Sequence, residues 1–355
     1  MKAWRYANGI TAKTLVGRLE NSIILDTKAP MPDISMLAEH QVVVQVISAA
    51  LNPADFKMPE SDWFGRMFGL GNDAQPGMDF SGRIVSKHPS NTTYKEGQLV
   101  FGSLAKASKY GTLGQFAVAS TSELAALPPG VNPDQAAALG TSAGTAYSSL
   151  RSLAGGVTST PAQRHVFING GSGGVGTYAI QFAKIMGATV TTSTSTANID
   201  TVRQLGADHV IDYKQANVLA ELKRRGQVFD MVIDNVGTPQ NLYDESHKFL
   251  KTDGTYVQVA LNPTFRGTWD ILVNVCKSML GGGQRRKFQF VTDKGGSKEY
   301  AQFGQWVADL KLVPVIGNAF ALDLVPEAYA RLREGRSVGK IVVHVSSEAE
   351  ADKLI

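Results

Sequence analysis

Cysteine is almost absent. The chain of 355 residues carries one, Cys276, so it can form no intramolecular disulfide framework and no zinc site built from thiolates. One thiol fits a reducing compartment, and a cytoplasmic location is the expectation. In its apolar surroundings Cys276 is expected to be a core residue rather than a nucleophile. Long hydrophobic runs are missing as well. No unbroken apolar stretch reaches the roughly 18 residues of a membrane-crossing helix. The opening residues MKAWRYANGI hold no apolar signal-peptide segment. Charge of one sign is scarce: 35 Lys and Arg against 31 Asp and Glu leave a net +4. No basic stripe interleaved with aromatics is present, so nucleic acid is not an expected partner. The six histidines, His40, His88, His165, His209, His247 and His344, lack metal-ligand spacing and are read as surface or strand residues.

Glycine, by contrast, is plentiful at 36, and one cluster of it organises the chain. The stretch His165–Gly187 reads HVFINGGSGGVGTYAIQFAKIMG. A short β-branched run is followed by a glycine-rich turn. Then Val175, Ala179, Ile180, Phe182, Ala183 and Met186 recur at helical spacing. Gly171, Gly173 and Gly176 fit G-x-G-x-x-G, with strand before and helix after. That spacing serves a tight turn, a close approach of backbone to pyrophosphate, and close packing of helix on strand. The phosphates would sit on the free N–H groups of the helix N-terminus. A tight turn without a ligand is the plainer alternative.

The next strand, Ala188–Ser193, is where an NAD site usually carries an acid for the ribose 2′-hydroxyl. Here the region reads Thr191-Thr192-Ser193-Thr194-Ser195-Thr196-Ala197-Asn198, with no carboxylate before Asp200. Hydroxyls accommodate a 2′-phosphate that an acid would repel, so the expected cofactor is NADPH. Arg203 or Lys214 would supply the missing cation, while Asn198 also suits the N-cap of a helix over Ile199–Leu205. Further strands are expected near Asp208–Tyr213, over Phe229–Val236 and over Gly254–Ala260. Strands alternating with helices predict an α/β fold with a doubly wound parallel sheet.

The first 125 or so residues differ. Strand candidates at Gln41–Leu51, Phe80–Val85, Glu96–Gly102 and Gly114–Val118, parted by Gly and Pro, suggest a β-rich domain. A helical stretch, Asp134–Leu150, leads into the glycine turn. Near the end, Val325–Leu332 is helical in pattern and Gly339–Val345 is a closing strand.

Four motifs together resemble the medium-chain dehydrogenase/reductase superfamily, and its zinc-free quinone oxidoreductase and enoyl reductase branch in particular. They are Leu51-Asn52-Pro53-Ala54-Asp55-Phe56-Lys57, Pro76–Gly82, the glycine turn, and Leu205–Asp208 with Val210–Tyr213. The Asn-Pro-x-Asp-x-Lys form is also similar to fungal trans-acting enoyl reductases. The resemblance covers nearly the whole chain. It implies a Rossmann domain over 128–314 and a β-rich GroES-like catalytic domain over 1–127, completed by 315–355. Zinc members carry Gly-His-Glu where this chain has Gly77-Met78-Asp79, and a ligand near Asn52, a poor one for zinc. The implied chemistry is therefore metal-free hydride transfer to an activated C=C bond, or to a quinone.

By the same resemblance Asn52 and Lys57 lie beside the nicotinamide and act on the substrate oxygen or the ribose, and Thr145 lies near the carboxamide. Ser172, Gly173, Gly174 and Val175 would cradle pyrophosphate. Ser195, Asn198 and Tyr213 would meet the 2′-phosphate. Ala260 and Leu261 would line the nicotinamide, and Gly339 with Lys340 would close over it. Asn52-Pro53 is also an ordinary helix cap, and Thr145 a small packing residue. Asp62–Gly65 lacks the Tyr proton donor of mitochondrial-type enoyl reductases, which leaves water as the proton source. Over 262–300, Trp269–Leu280, Gly281-Gly282-Gly283 and the basic Gln284–Lys287 read as a helix and edge strand at a dimer interface. A lid over a hydrophobic pocket is the second reading, and lipid contact a third. The expected partner is a small hydrophobic unsaturated substrate, and the protein a monomer or homodimer. A coenzyme-binding module without catalysis is the competing function.

Overall fold

The alternating, β-branched run after Glu39–His40 forms one strand, β3 (Gln41–Leu51), buried along all but its first residue. In the computed structural model the described residues are 1–7, 15, 17–61, 75–106, 108–154, 164–259, 265–280, 286–292 and 295–346. An antiparallel pair, β1 (Ala3–Tyr6) and β2 (Ile23–Asp26), precedes β3. After it come α1 (Pro53–Lys57), β4 (Asp79–Lys87), β5 (Leu99–Ser103), β6 (Phe116–Ser120) and β7 (Leu124–Ala126). Two strands from the far end of the sequence, β14 (Ile316–Ala321) and β15 (Lys340–His344), complete this sheet. Its order is β14-β15-β3-β4-β5-β7, with β6 also paired to β3. Val42, Val44, Val46, Phe80, Ile84, Val100, Ile341 and Val343 fill its core. Register shifts between Val43 and Val44 and between Val46 and Ser48 bend the β3–β4 ladder.

The parallel sheet is built from β8 (His165–Asn169), β9 (Thr189–Thr194), β10 (His209–Asp212), β11 (Phe229–Asp234), β12 (Leu250–Gln258) and β13 (Lys287–Phe290). They lie in the order β10-β9-β8-β11-β12-β13, every described pairing parallel. The chain runs outward from β8 first to one side and then to the other, so the turn after β8 sits at the switch point of a doubly wound sheet. Connecting helices are α4 (Gly174–Ile185), α5 (Ile199–Gln204), α6 (Val218–Arg225) and α7 (Phe265–Leu280). Phe167, Phe229, Val232, Phe249 and Tyr256 form part of the packing on the sheet.

The chain divides into two units, Met1–Gly144 with Lys294–Ile355, and Thr145–Asp293. The division falls inside α2 (Pro133–Ser149), which the short α3 (Arg151–Ala154) follows. Residues 128–144 and 295–314, including α8 (Ser297–Ala308), therefore group with the β-rich unit. The helix expected near Val325 is α9 (Val325–Arg333), which packs beside β15. One expectation is corrected. Cys276 is exposed, not core, because α7 is amphipathic and carries Trp269, Leu272 and Cys276 on its outer side.

Candidate active site

The three motif glycines of the parallel-sheet unit do three different things. A Cβ on Gly171 would stand 2.0 Å from Thr192 Oγ1, and one on Gly176 would stand 2.1 Å from the Gly170 carbonyl oxygen. Both are walled in by the strand–helix junction. Gly173 is not: the nearest atom to its added Cβ is the Gly170 oxygen at 3.7 Å. It occupies the N-cap of α4 in extended geometry that any residue adopts, with φ −77°. Glycine there leaves open space in front of a twelve-residue helix N-terminus, the arrangement that suits a phosphate group. Ser172, Gly174 and Val175 flank this opening and are partly exposed.

At the tip of β9, Ser172 Oγ accepts from Thr194 Oγ1 at 2.9 Å and from Asn198 Nδ2 at 3.2 Å. Asn198 stands at the N-terminus of α5 but makes no side-chain cap bond, because its amide is turned to Ser172. Ser195 is partly exposed beside it, and Tyr213 is half-exposed with Lys214 Nζ 5.7 Å from its ring centre. Folding also brings in a carboxylate that proximity in sequence concealed. Asp212 accepts from Thr196 Oγ1 at 2.6 Å and from the Lys214 N–H at 2.9 Å. Arg203 faces Asp200 at 3.9 Å.

Behind the turn runs a buried polar chain at the carboxyl ends of four strands. Ser193 Oγ donates to Asn169 Oδ1 at 2.7 Å and accepts from the Gly170 N–H at 2.9 Å. Asn169 Nδ2 donates to Asp234 Oδ1 at 2.9 Å, and the Tyr256 hydroxyl donates to Asp234 Oδ2 at 2.7 Å. The N–H groups of Val236 and Gly237 also donate to Asp234. Burial, then the adjacent Asp234 charge, raises the Tyr256 hydroxyl well above its ordinary pKa. These residues escaped the sequence reading. Their one signal was polar character at the ends of otherwise apolar strands, Asn169 and Asp234.

The β-rich unit buries a second carboxylate, Asp79, at the start of β4. Asn52 Nδ2 donates to Asp79 Oδ2 at 2.8 Å, and Lys340 Nζ lies 3.2 Å from the same oxygen. Asp79 Oδ1 accepts from the Thr141 N–H at 2.9 Å and from Thr141 Oγ1 at 2.7 Å. Lys340 also donates to Asn52 Oδ1 at 2.6 Å and to the Leu51 carbonyl at 2.9 Å, which engages all three of its protons. Burial would raise the Asp79 pKa. The Lys340 charge and the bonds from Asn52 and Thr141 outweigh it and hold the carboxyl below its ordinary value. α2 makes room by bending at Gly140, where an added Cβ would come within 2.3 Å of the Asp79 carboxylate carbon. Gly339, at φ +62°, has the Val315 carbonyl 2.1 Å from its added Cβ and delivers Lys340 into the cluster.

Asn52 thus sits at the N-cap of α1, with Pro53 at the first helical position, as its sequence suggests. Both ends of its carboxamide are engaged inside the unit, so the donor expected for a substrate oxygen is occupied by Asp79. Lys57 ends α1. It is exposed by surface area, yet the protein crowding its ammonium lowers its pKa through desolvation. α1 is tied down by Arg333, which bonds Glu20 and Glu60 and stacks 4.2 Å from the Phe56 ring centre. Thr145 is buried in α2, one turn beyond Thr141. Ala260, Leu261, the Asp62–Gly65 stretch and the Gly281–Arg285 segment lie outside the described residues. Among the described residues no three His, Cys, Asp or Glu side chains group to hold a metal, and no helix is long and apolar enough to cross a membrane.

Two family models match the chain: an alcohol dehydrogenase GroES-like domain over residues 38–132 and a zinc-binding dehydrogenase domain over 205–343. Trans-enoyl reductase pgmF of Aspergillus terreus is 41% identical, covering 99% of this chain and 98% of its own. The 2-methylene-furan-3-one reductase of Solanum lycopersicum is 29% identical, covering 97% of this chain and 79% of its own. In structure, the quinone oxidoreductase of Coxiella burnetii superposes with a TM-score of 0.78 at 26% identity, covering 98% and 99% of the two chains. A glycine turn at the switch point of a parallel sheet, a GroES-like unit closed by the last strand, and whole-length similarity to pgmF place the chain among the oxidoreductases of the medium-chain dehydrogenase/reductase superfamily, whose members use NAD(P)H, in the branch of quinone oxidoreductases and enoyl reductases.

Proposed function

We propose that this protein reduces an activated carbon–carbon double bond, in an enone or enoyl substrate, with NADPH and without a metal ion. The observation that carries the reading is the 41% identity to a trans-enoyl reductase across almost all of both chains. When bound, NADPH supplies the hydride, which goes to the β-carbon while a proton goes to the α-carbon. The protein binds, orients and polarises. Gly173 leaves the α4 N-terminus open to the pyrophosphate. Ser172 already accepts two hydrogen bonds and keeps its own proton to donate to phosphate. Ser195, Asn198 and Tyr213 face the 2′-phosphate, with Lys214 as the nearby cation. Asp212 has one oxygen bonded by Thr196 and the other by the Lys214 N–H, which blunts its repulsion of that phosphate. Lys57 donates to the substrate oxygen as negative charge gathers there. Asn52, Asp79 and Lys340 hold the start of α1, which carries Lys57.

The test is NADPH oxidation by pure protein with an enone, an enoyl thioester and a quinone. Turnover of the first two classes is expected, with Lys57→Met lowering kcat by about ten- to a hundredfold as one charged donor is lost. Turnover with quinones alone would favour the quinone reductase reading. Tight NADPH binding with no turnover would favour a module that binds the coenzyme without catalysis.

A further inference from the structure

α1 has five residues, too few for a helix to hold itself. Its first turn is fixed by the Asn52 cap, which Asp79 and Lys340 keep in place. Its far end carries Lys57 and closes on two backbone bonds, from the Met58 N–H to the Ala54 carbonyl and from the Glu60 N–H to the Phe56 carbonyl, each at 3.1 Å. The side chain that grips this end, Arg333, stands 273 positions away from Glu60.

Arg333 is the last residue of α9, a helix seated in the core by Val325, Ala328 and Tyr329, all fully buried. Its guanidinium makes two forked pairs. Nε and Nη2 donate to the Glu20 carboxylate at 2.9 and 2.7 Å. Nη1 and Nη2 donate to the Glu60 carboxylate, the Nη1 bond at 3.0 Å. The same group lies 4.2 Å from the ring centre of Phe56, the residue before Lys57. Glu60 Oε1 also accepts from the Leu19 N–H at 2.7 Å, which joins α1 to the turn Leu19–Asn21. The side chains of Glu20, Glu60 and Arg333 are 8%, 17% and 21% exposed, so salt screens these bonds little. Two carboxylates share one cation, and the planar fork of arginine reaches both while it stacks on the ring. We propose that Arg333 is a positioning residue for the reduction: through Phe56 and Glu60 it fixes the end of α1 from which Lys57 meets the substrate oxygen. The inference rests on the reading of Lys57 given above. It makes the last helix of the chain a determinant of turnover without Arg333 itself touching the substrate.

A double-mutant cycle on Arg333 and Lys57 tests it, read as kcat and KM for an enone at saturating NADPH. Arg333→Lys keeps the charge and loses the fork and the stack. It should lower kcat about tenfold and change KM by less than about twofold, because a small misplacement of a charge-stabilising group is felt in the transition state. Introduced into Lys57→Met, the same change should cost no further kcat. Amide exchange at Met58 and Glu60, measured without coenzyme, should quicken by about tenfold in Arg333→Lys as the end of α1 is released. An equal fall of kcat in both backgrounds would make Arg333 a purely structural residue and overturn the assignment. So would wild-type kcat or wild-type exchange in Arg333→Lys. If that variant does not fold, Glu60→Gln takes its place in the cycle: Arg333 keeps Glu20 as its counter-ion, and the same outcomes decide. Wild-type kcat in Lys57→Met alone would instead sink the reading of Lys57, before any change is made at Arg333.

Discussion

Each unit buries an aspartate at the end of a strand, and the two are neutralised by different means. Asp79 faces an ammonium, Lys340, with Asn52 and Thr141 completing its shell. Asp234 faces no cation among the described residues; two side-chain donors and two backbone N–H groups share its charge. The first arrangement is closed: the carboxylate and the ammonium are mutually dependent, and Leu51, Asn52 and Asp79 take up the Lys340 protons. The second borders an opening, with Gly173 unobstructed on one side of the turn and, on the other, an Asn235 carboxamide that has no hydrogen-bond partner among the described residues. The contrast separates a buried polar group that joins α1, α2, β4 and β15 from one that shapes a receptive surface.

Breaking the closed cluster should cost most. Asp79→Asn strands Lys340 as a buried cation without its anion, and a loss of about 3–5 kcal/mol in urea unfolding is expected. Asp79→Asn combined with Lys340→Met should recover a large part of that loss, because no charge is left unpaired. The pH response follows from the lowered Asp79 pKa. A carboxyl with a folded pKa below its unfolded value stabilises above the unfolded value of about 3.9, and the contribution disappears as pH falls through the folded value. The decline of wild-type stability below about pH 4 should therefore be shallower in Asp79→Asn, as read from unfolding curves at successive pH values.

An effect of intermediate size belongs to the rim of the opening. Ser195→Asp places a carboxylate where the 2′-phosphate is expected, and the ratio of NADPH to NADH affinity should fall by about tenfold, or about 1.4 kcal/mol. An unchanged ratio would remove Ser195 from the phosphate site. The smallest effect is expected at Asp234. Asp234→Asn leaves no orphaned charge, and the Tyr256 hydroxyl turns from donor to acceptor to meet the new amide. A loss of about 1 kcal/mol is expected. A loss as large as that of Asp79→Asn would erase the distinction between the two sites.

The open side of this comparison was legible in the sequence, and the closed side was not. Glycine spacing, the strand before it and the helix after it are local, so the turn at Gly171, Gly173 and Gly176 declares itself within a dozen or so residues. Asp79 and Lys340 are 261 positions apart, and no local pattern tells a lysine in a closing strand that its partner starts another one. Asn52 shows the same limit. Its capping position was readable from Asn-Pro, whereas the direction of its carboxamide is set by Asp79 and Lys340. The edge strand read after Trp269–Leu280 is the sixth parallel strand, Lys287–Phe290, and its four residues with a charged start gave little to fix its bounds. Cys276 was misplaced because an apolar sequence such as WDILVNVCKSML does not by itself reveal which face of a helix is covered.

Gly173→Val tests the central claim most directly, by titration with NADPH and by thermal unfolding. The added side chain meets no atom closer than 3.7 Å at its Cβ and needs no unusual backbone, so the variant should fold with a loss of about 1 kcal/mol from the poorer N-cap. It should nonetheless bind NADPH at least about tenfold more weakly, because the valine fills the space the pyrophosphate requires. A well-folded Gly173→Val protein that binds NADPH as tightly as wild type would contradict the account.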